Sequence, residues 1–175
     1  MRTVASILFC LAAVAAAGAA DAAAAHPFLA ENAKAVVTAD GKRAEAARIT
    51  DKPLVLIYFS AHWCPPCRTF TPELVDFYAK KGGGTAFEVL FVSSDKAQDA
   101  MMGYMTEAKM PWVAMQWGAS KIPAVKKKYG GPGGIPCLVL LDAQDEVLAH
   151  SYDGEEYLGP RHVLKELDKR LAASK

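Results

Sequence analysis

The sequence predicts an α/β domain with a central mixed β-sheet and helices on both of its faces. Three observations lead to this fold class. Apolar segments of strand length alternate with amphipathic segments of helical length, which is typical of strands joined by crossover helices. Two apolar segments near the C-terminus are separated only by a turn at Asp142 to Asp145, which predicts an antiparallel hairpin. The pentapeptide Trp63-Cys64-Pro65-Pro66-Cys67 joins a predicted strand directly to a predicted helix.

Each element is predicted from the spacing of its apolar residues. Continuous apolar runs predict buried strands, and apolar residues that recur at helical spacing predict helices. Gly82-Gly83-Gly84 is expected to end the first long helix, and Ser94-Asp95 to start the second. In chain order, the sequence predicts strands over 35–38 and 53–60, a helix over 64–80, a strand over 87–92, helices over 96–110 and 122–129, strands over 137–141 and 146–150, and a helix over 161–173.

The N-terminus has the pattern of a secretory signal. Arg2 precedes an apolar stretch from Val4 to Ala17, and small residues follow it. An uncleaved anchor or an Ala-rich tail is the alternative. We expect a signal peptide over 1–20, a short segment over 21–33 and one domain over 34–175, with export most simply to a bacterial periplasm. The formal net charge of +1 gives no drive towards nucleic acid.

The cysteine pair is the main functional feature of the sequence. A strand that leads straight into a helix places Cys64 at the helix N-terminus, where free N–H groups and the helix dipole favour a thiolate. Such a position lowers the pKa of a cysteine thiol from ~8.5 to between ~3.5 and ~7.5. One helical turn brings Cys67 within disulfide reach of Cys64. Pro65 and Pro66 suit the first turn because no helical hydrogen bond is lost there. Together these features predict a reversible dithiol–disulfide switch.

Two other interpretations of this pair are weaker. A structural zinc site needs four ligands, and the sequence offers no second C-x-x-C motif and no pair of histidines at zinc-binding spacing. A permanent structural disulfide would close only a very small ring, which removes little entropy from the unfolded chain. We therefore expect no metal and no bound cofactor, since the two sulfurs carry both electrons.

From Lys52 to about Leu171, the chain resembles the thioredoxin superfamily and, within it, the tryparedoxin and nucleoredoxin branch. The resemblance implies the thioredoxin fold and thiol–disulfide exchange. The segments that carry it are Tyr58 to Arg68, Phe70 to Leu74, Phe87 to Asp95, Met110-Pro111-Trp112 and Gly134-Ile135-Pro136.

The resemblance also implies roles for single residues. Cys64 would attack the substrate disulfide, and Cys67 would resolve the mixed disulfide. Ile135-Pro136 would form a cis-proline loop that aligns the substrate backbone. Trp63 would shield the cysteines from one side, while Pro65 and Pro66 would tune their reduction potential.

Three features depart from the thioredoxin pattern. Tyr58 stands where thioredoxins carry a buried carboxylate, and a tyrosine with a pKa near ~10 is a poor base at neutral pH, so the proton acceptor for Cys67 is unidentified. Cys137 follows Pro136 directly; it is either a third redox thiol or a small buried core residue. The signal sequence is foreign to tryparedoxins, so the trypanothione system is not assumed as the electron donor.

These observations predict a thiol–disulfide oxidoreductase that acts as a disulfide reductase. The expected partners are disulfide-containing proteins and a thiol electron donor, which for an exported protein would be linked to the membrane. A narrower alternative is a dedicated reductant for cytochrome c maturation or for a peroxidase. A third, from another class, is a non-catalytic interaction domain with the same fold.

Overall fold

The computed structural model describes residues 25–173. The predicted signal peptide over 1–20 lies outside them. Within them, no helix is long and apolar enough to cross a membrane. The elements are α1 (Pro27–Asn32), β1 (Val36–Val37), β2 (Arg43–Ala44), α2 (Ala47–Thr50), β3 (Leu54–Ser60), α3 (Pro65–Lys81), β4 (Glu88–Ser93), α4 (Gln98–Glu107), β5 (Val113–Met115), α5 (Ile122–Tyr129), β6 (Cys137–Asp142), β7 (Val147–His150), β8 (Tyr152–Asp153), β9 (Glu156–Tyr157) and α6 (Pro160–Ala173).

Seven of these strands form one mixed sheet in the order β2-β1-β5-β4-β3-β6-β7. Strands β3, β4 and β5 pair in parallel, while the remaining pairs are antiparallel. The hairpin of β6 and β7 closes one edge, as predicted, and β8 and β9 form a separate small hairpin. The predicted thioredoxin fold, with a mixed sheet between two helical layers, is confirmed.

Strand β3 lies between β4 and β6 in the interior of this sheet and is buried on both faces. Leu56 and Tyr58 pack into the apolar layer that contains α3, α4 and α6. Val55 and Ile57 point the other way, towards α1, α2 and α5. Because successive side chains of a strand alternate between faces, only a continuous apolar run satisfies both layers, which explains the composition of this segment. The end of β3 is therefore a fixed point from which the cysteine loop starts.

Helix α3 carries the cysteine pair and ends where the glycines predict. Its Phe70 and Leu74 are buried against the sheet. Gly82 takes a φ of 86°, in the left-handed region, and its N–H donates to the carbonyl of Tyr78. Glycine enters that region without strain, so the helix stops after Lys81.

Several short elements were not predicted. Strand β5 occupies part of the segment between Trp112 and Trp117, which we expected to be a loop. Helix α4 begins at Gln98 with Ala97 at its N-cap, so Ser94-Asp95 is not its start signal. Segments this short carry too few residues to show a periodicity, and pairing with the central strands is what fixes them.

A buried ion pair fastens the N-terminal segment to the domain. Nδ1 of His26 lies 2.9 Å from a carboxylate oxygen of Asp145, and Nε2 lies 2.8 Å from the carbonyl oxygen of Lys52. Both ring nitrogens face oxygen atoms of the domain, so the imidazole is held at both of its nitrogens. The other carboxylate oxygen of Asp145 accepts the N–H groups of Phe28 and Leu29. The stretch predicted as a short segment over 21–33 is thus packed against the domain from His26 onward.

Replacement of Asp145 by Asn tests this ion pair. Asp145 has a φ of 63°, which Asn tolerates, so the backbone is preserved while the charge is lost. We expect the free energy of unfolding to fall by about 3 kcal/mol, because the variant removes the carboxylate from its buried contact with His26. Denaturant titration followed by circular dichroism measures it. Asp153→Asn is the control, since exposed Asp153 makes no ion pair with any residue of 25–173; equal stability of both variants would contradict the prediction.

Candidate active site

The two cysteines meet at the start of α3. Cys64 occupies the N-cap in an extended conformation, and Pro65 and Pro66 are the first helical residues. A disulfide joins Cys64 to Cys67, with their Cα atoms 5.2 Å apart. The exposed fraction of Cys64 is 3%, whereas Cys67 has none. A substrate can therefore approach only the sulfur of Cys64.

The two prolines limit the hydrogen bonding to that sulfur. The Cys67 N–H donates to Sγ of Cys64 over 3.3 Å. An N-cap side chain usually accepts from the second or third helical N–H, but Pro66, the second helical residue, has none. In the reduced protein, the Cys67 N–H is thus the backbone donor available to a Cys64 thiolate. A residue other than proline at position 66 would add a second N–H donor.

The loop around Ile135 lies against the cysteine pair. The Ile135–Pro136 peptide bond is cis, as the resemblance implies. The carbonyl oxygen of Ile135 is 3.8 Å from Sγ of Cys64. The side chain of Ile135 packs on Ala61, Cys64 and Cys67. No residue of 25–173 accepts a hydrogen bond from the Ile135 N–H. A backbone donor and acceptor are therefore presented next to the disulfide.

Trp63 directly precedes Cys64 and is 59% exposed. Its indole N–H donates to the carbonyl of Ser94 over 3.2 Å. It lines a cleft of about 560 Å³ together with His62, Asp95, Lys96 and Ala100. The cleft thus borders the two residues that precede Cys64 in the chain.

Asp95 holds the loop that precedes Cys64. One of its carboxylate oxygens accepts the N–H of His62 at 2.9 Å, and the other accepts the hydroxyl of Ser93 at 2.8 Å. Its side chain is buried, so this anchor is shielded from water. Sequence reasoning missed this role because the same residue matched a helix start signal.

Tyr58 belongs to a buried group of hydroxyls beneath Cys67. Thr71 donates to the Cys67 carbonyl at 2.9 Å, so its single proton is used. The hydroxyls of Tyr58 and Tyr104 lie 2.8 Å and 2.5 Å from Thr71 Oγ1, and the Tyr58 hydroxyl also donates to the Cys67 carbonyl over 3.5 Å. Ser60 bonds Tyr104 at 3.2 Å. The sequence shows no pattern that marks Thr71 or Tyr104 for this role.

This cluster of hydroxyls cannot act as the base that the buried carboxylate provides in thioredoxins. Burial raises the pKa of Tyr58 far above its ordinary value, and the neighbouring Tyr104 adds to the rise. Tyr58 therefore stays neutral at every physiological pH. Its hydrogen bonds reach the backbone of Cys67 and hold the first turn of α3 in place.

Cys137 lies in the core and not among the exposed parts of the site. It opens β6 opposite Phe59 and is fully buried. Its sulfur is 3.9 Å from Nε2 of His150, but that nitrogen is directed at the carbonyl of Tyr129, at 2.9 Å. Burial raises the pKa of the Cys137 thiol to about 12. These observations favour the core interpretation of Cys137 over a third redox thiol.

No cluster of three or more His, Cys, Asp or Glu side chains able to hold a metal ion occurs within residues 25–173. His62 bonds Glu107 at 3.0 Å on the surface, and His26 and His150 are engaged as described above. The polar groups around the cysteines are instead bound to backbone atoms.

The chain is similar to known proteins in both sequence and fold. A family model described as Thioredoxin-like matches residues 52–147, more than half of the chain. The chain belongs to this family. Membership supports thiol–disulfide redox activity.

Nucleoredoxins and tryparedoxins are among the similar proteins. Probable nucleoredoxin 1 of Arabidopsis thaliana is 37% identical over 145 residues, which are 77% of this chain and 24% of that protein. The crystal structure of a Wuchereria bancrofti thioredoxin has a TM-score of 0.63 and 34% identity, covering 79% of this chain and 94% of that one. Native tryparedoxin I from Crithidia fasciculata has a TM-score of 0.59 and 36% identity, covering 70% and 83%. The tryparedoxin and nucleoredoxin branch is confirmed, and the chain spans about a quarter of the length of that nucleoredoxin.

The relatives correct the expected location. Nucleoredoxins and tryparedoxins are cytosolic and nuclear proteins of eukaryotes. The prediction of export to a bacterial periplasm, which rested on the N-terminal sequence alone, is therefore wrong.

The buried state of Cys137 predicts its reactivity. With a pKa of about 12, its thiolate fraction at pH 8 is on the order of 1 in 10,000, and only the thiolate is nucleophilic. We expect iodoacetamide at pH 8 to label Cys64 in the reduced native protein and to label Cys137 only after unfolding. Peptide mapping by mass spectrometry measures both. Labelling of native Cys137 at a rate close to that of Cys64 would show that it is an accessible redox thiol.

Proposed function

We propose that the chain is a disulfide reductase that acts on disulfides in polypeptides through Cys64 and Cys67. The observation that carries this proposal is the position of the pair: Cys64 caps α3, alone keeps solvent access, and is bonded to a fully buried Cys67. That arrangement supports one attacking and one resolving sulfur.

The exchange balances with two electrons and no cofactor. The Cys64 thiolate attacks one sulfur of the substrate disulfide, so that a mixed disulfide forms and one substrate thiolate leaves. That thiolate takes the proton of Cys67, which neutral Tyr58 cannot accept. The Cys67 thiolate then attacks Sγ of Cys64, which releases the second substrate sulfur as a thiolate that solvent protonates, and leaves the Cys64–Cys67 disulfide. A thiol donor reduces this disulfide in turn.

The Ile135 loop supports a polypeptide as substrate. Its free N–H and its carbonyl, next to Cys64, offer the donor and acceptor that an extended chain uses to add a strand. The cleft lined by Trp63 offers a second surface that a polypeptide could contact. A small-molecule disulfide would leave both the Ile135 loop and the Trp63 cleft uncovered.

The non-catalytic alternative has no support from the site. An interaction domain that merely kept the fold would not need two cysteines at the N-cap and third helical positions, and both are present and bonded. The narrower role in cytochrome c maturation depended on export, which the relatives contradict.

Single serine variants of the two cysteines test the mechanism. In an insulin-reduction assay with dithiothreitol as donor, we expect Cys64→Ser to abolish turnover, because the attacking sulfur is lost. Cys67→Ser should retain the attack and accumulate a mixed disulfide with insulin, visible by non-reducing electrophoresis and mass spectrometry.

Cys137→Ser is the matched control and should form no trapped species and keep the wild-type rate. Full activity of Cys64→Ser would contradict the mechanism. So would mixed disulfides that form through Cys67 when Cys64 is absent.

A further inference from the structure

The small hairpin of β8 and β9 stands beside the Ile135 loop and is tied to the main sheet. The carbonyl of Ser151 accepts the N–H groups of Leu158 and Gly159, at 2.9 Å and 3.1 Å. The hydroxyl of Ser151 bonds both the N–H and the carbonyl of Leu138 in β6, at 2.7 Å and 3.0 Å. The base of the hairpin is therefore fixed.

Two tyrosines of this hairpin direct their hydroxyls at the residues on either side of Ile135. The hydroxyl of Tyr157 donates to the carbonyl of Pro136 over 2.7 Å. The hydroxyl of Tyr152 fills the space at Gly134, where an added Cβ would collide with it. The two rings pack together with centroids 5.0 Å apart. The two phenols thus contact the loop at the residues that flank Ile135.

The loop needs such support because its own sequence does not fix it. Gly130-Gly131-Pro132-Gly133-Gly134 leads into Ile135, and glycines restrict the backbone least. On the other side, Pro136 has no N–H with which to join the sheet. A strand of substrate can pair with the N–H and carbonyl of Ile135 only if these groups stay at a fixed distance from Cys64.

Tyr157 is also within reach of a bound polypeptide. It is 49% exposed and lines a groove of about 420 Å³ that runs past Pro66, Thr69 and Pro136. Its hydroxyl is therefore tied to the loop while part of its ring faces the surface on which a substrate chain would lie.

We propose that Tyr157, supported by Tyr152, is a positioning residue that sets the Ile135 backbone for polypeptide disulfides. This inference rests on the proposed reductase function and specifies which residues select its substrates. Loss of the Tyr157 hydroxyl would leave the Pro136 carbonyl without its partner and loosen the loop, while the cysteines themselves would be unchanged. Small disulfides that do not pair with Ile135 would react as before.

Tyr157→Phe tests the inference with two probes, insulin and 5,5′-dithiobis(2-nitrobenzoate). We expect KM for insulin to rise about fivefold, the factor typical of one lost hydrogen bond, with kcat and the rate towards the small disulfide unchanged. Tyr129→Phe is the matched control, because it also removes a bond from a phenol to a backbone carbonyl, that of Asp145 at 3.1 Å. It should leave both reactions unchanged.

Gly134→Ala provides a second variant, because its Cβ displaces the Tyr152 hydroxyl; it should show the same selective rise in KM. Wild-type KM for insulin in Tyr157→Phe would overturn the inference and leave the reductase function standing. An equal loss towards both probes would also overturn it, since the defect would then lie in the cysteine pair. A wild-type protein inactive towards both disulfides would overturn the proposed function and this inference with it.

Discussion

The site depends on one constraint, the direct passage from a fully buried central strand into a helix. Strand β3 cannot shift, because its alternating side chains fill the apolar layers on both faces of the sheet. Its end therefore fixes the N-terminus of α3, where Cys64 is the cap and the Cys67 N–H reaches its sulfur. A helix N-terminus favours a negative charge, so this placement prepares Cys64 for the thiolate state.

The polar residues around the pair act on backbone atoms. Thr71, with Tyr58 and Tyr104 behind it, holds the carbonyl of Cys67. Asp95 holds the N–H of His62, and Tyr157 holds the carbonyl of Pro136. The three segments that meet at the disulfide are thereby fixed without a charged group placed against the sulfurs. This explains how a redox site can keep its geometry with a tyrosine where thioredoxins have a carboxylate.

The fold and the cysteine pair could be predicted from sequence because both have local signals. The apolar run of β3 and the motif that follows it specify the strand, the helix and the two sulfurs together. The supporting contacts had no such signal, since Asp95 and Tyr157 reach partners more than 20 residues away in sequence. The predicted location depended on the N-terminal sequence alone, and the relatives contradict it.

The prolines between the cysteines bear on the direction of electron flow. Each N–H that stabilises the Cys64 thiolate favours the reduced pair and makes the protein more oxidising, and Pro66 withholds one such donor. The measurement that tests this account most directly is the reduction potential of the wild-type protein and of Pro66→Ala in glutathione buffers. We expect the wild-type value to lie between about −270 and −200 mV, the range of thioredoxins and glutaredoxins, and the variant to be less negative by on the order of 30 mV. A wild-type value near about −120 mV, typical of a strong oxidant, or an unchanged value in Pro66→Ala would contradict the account.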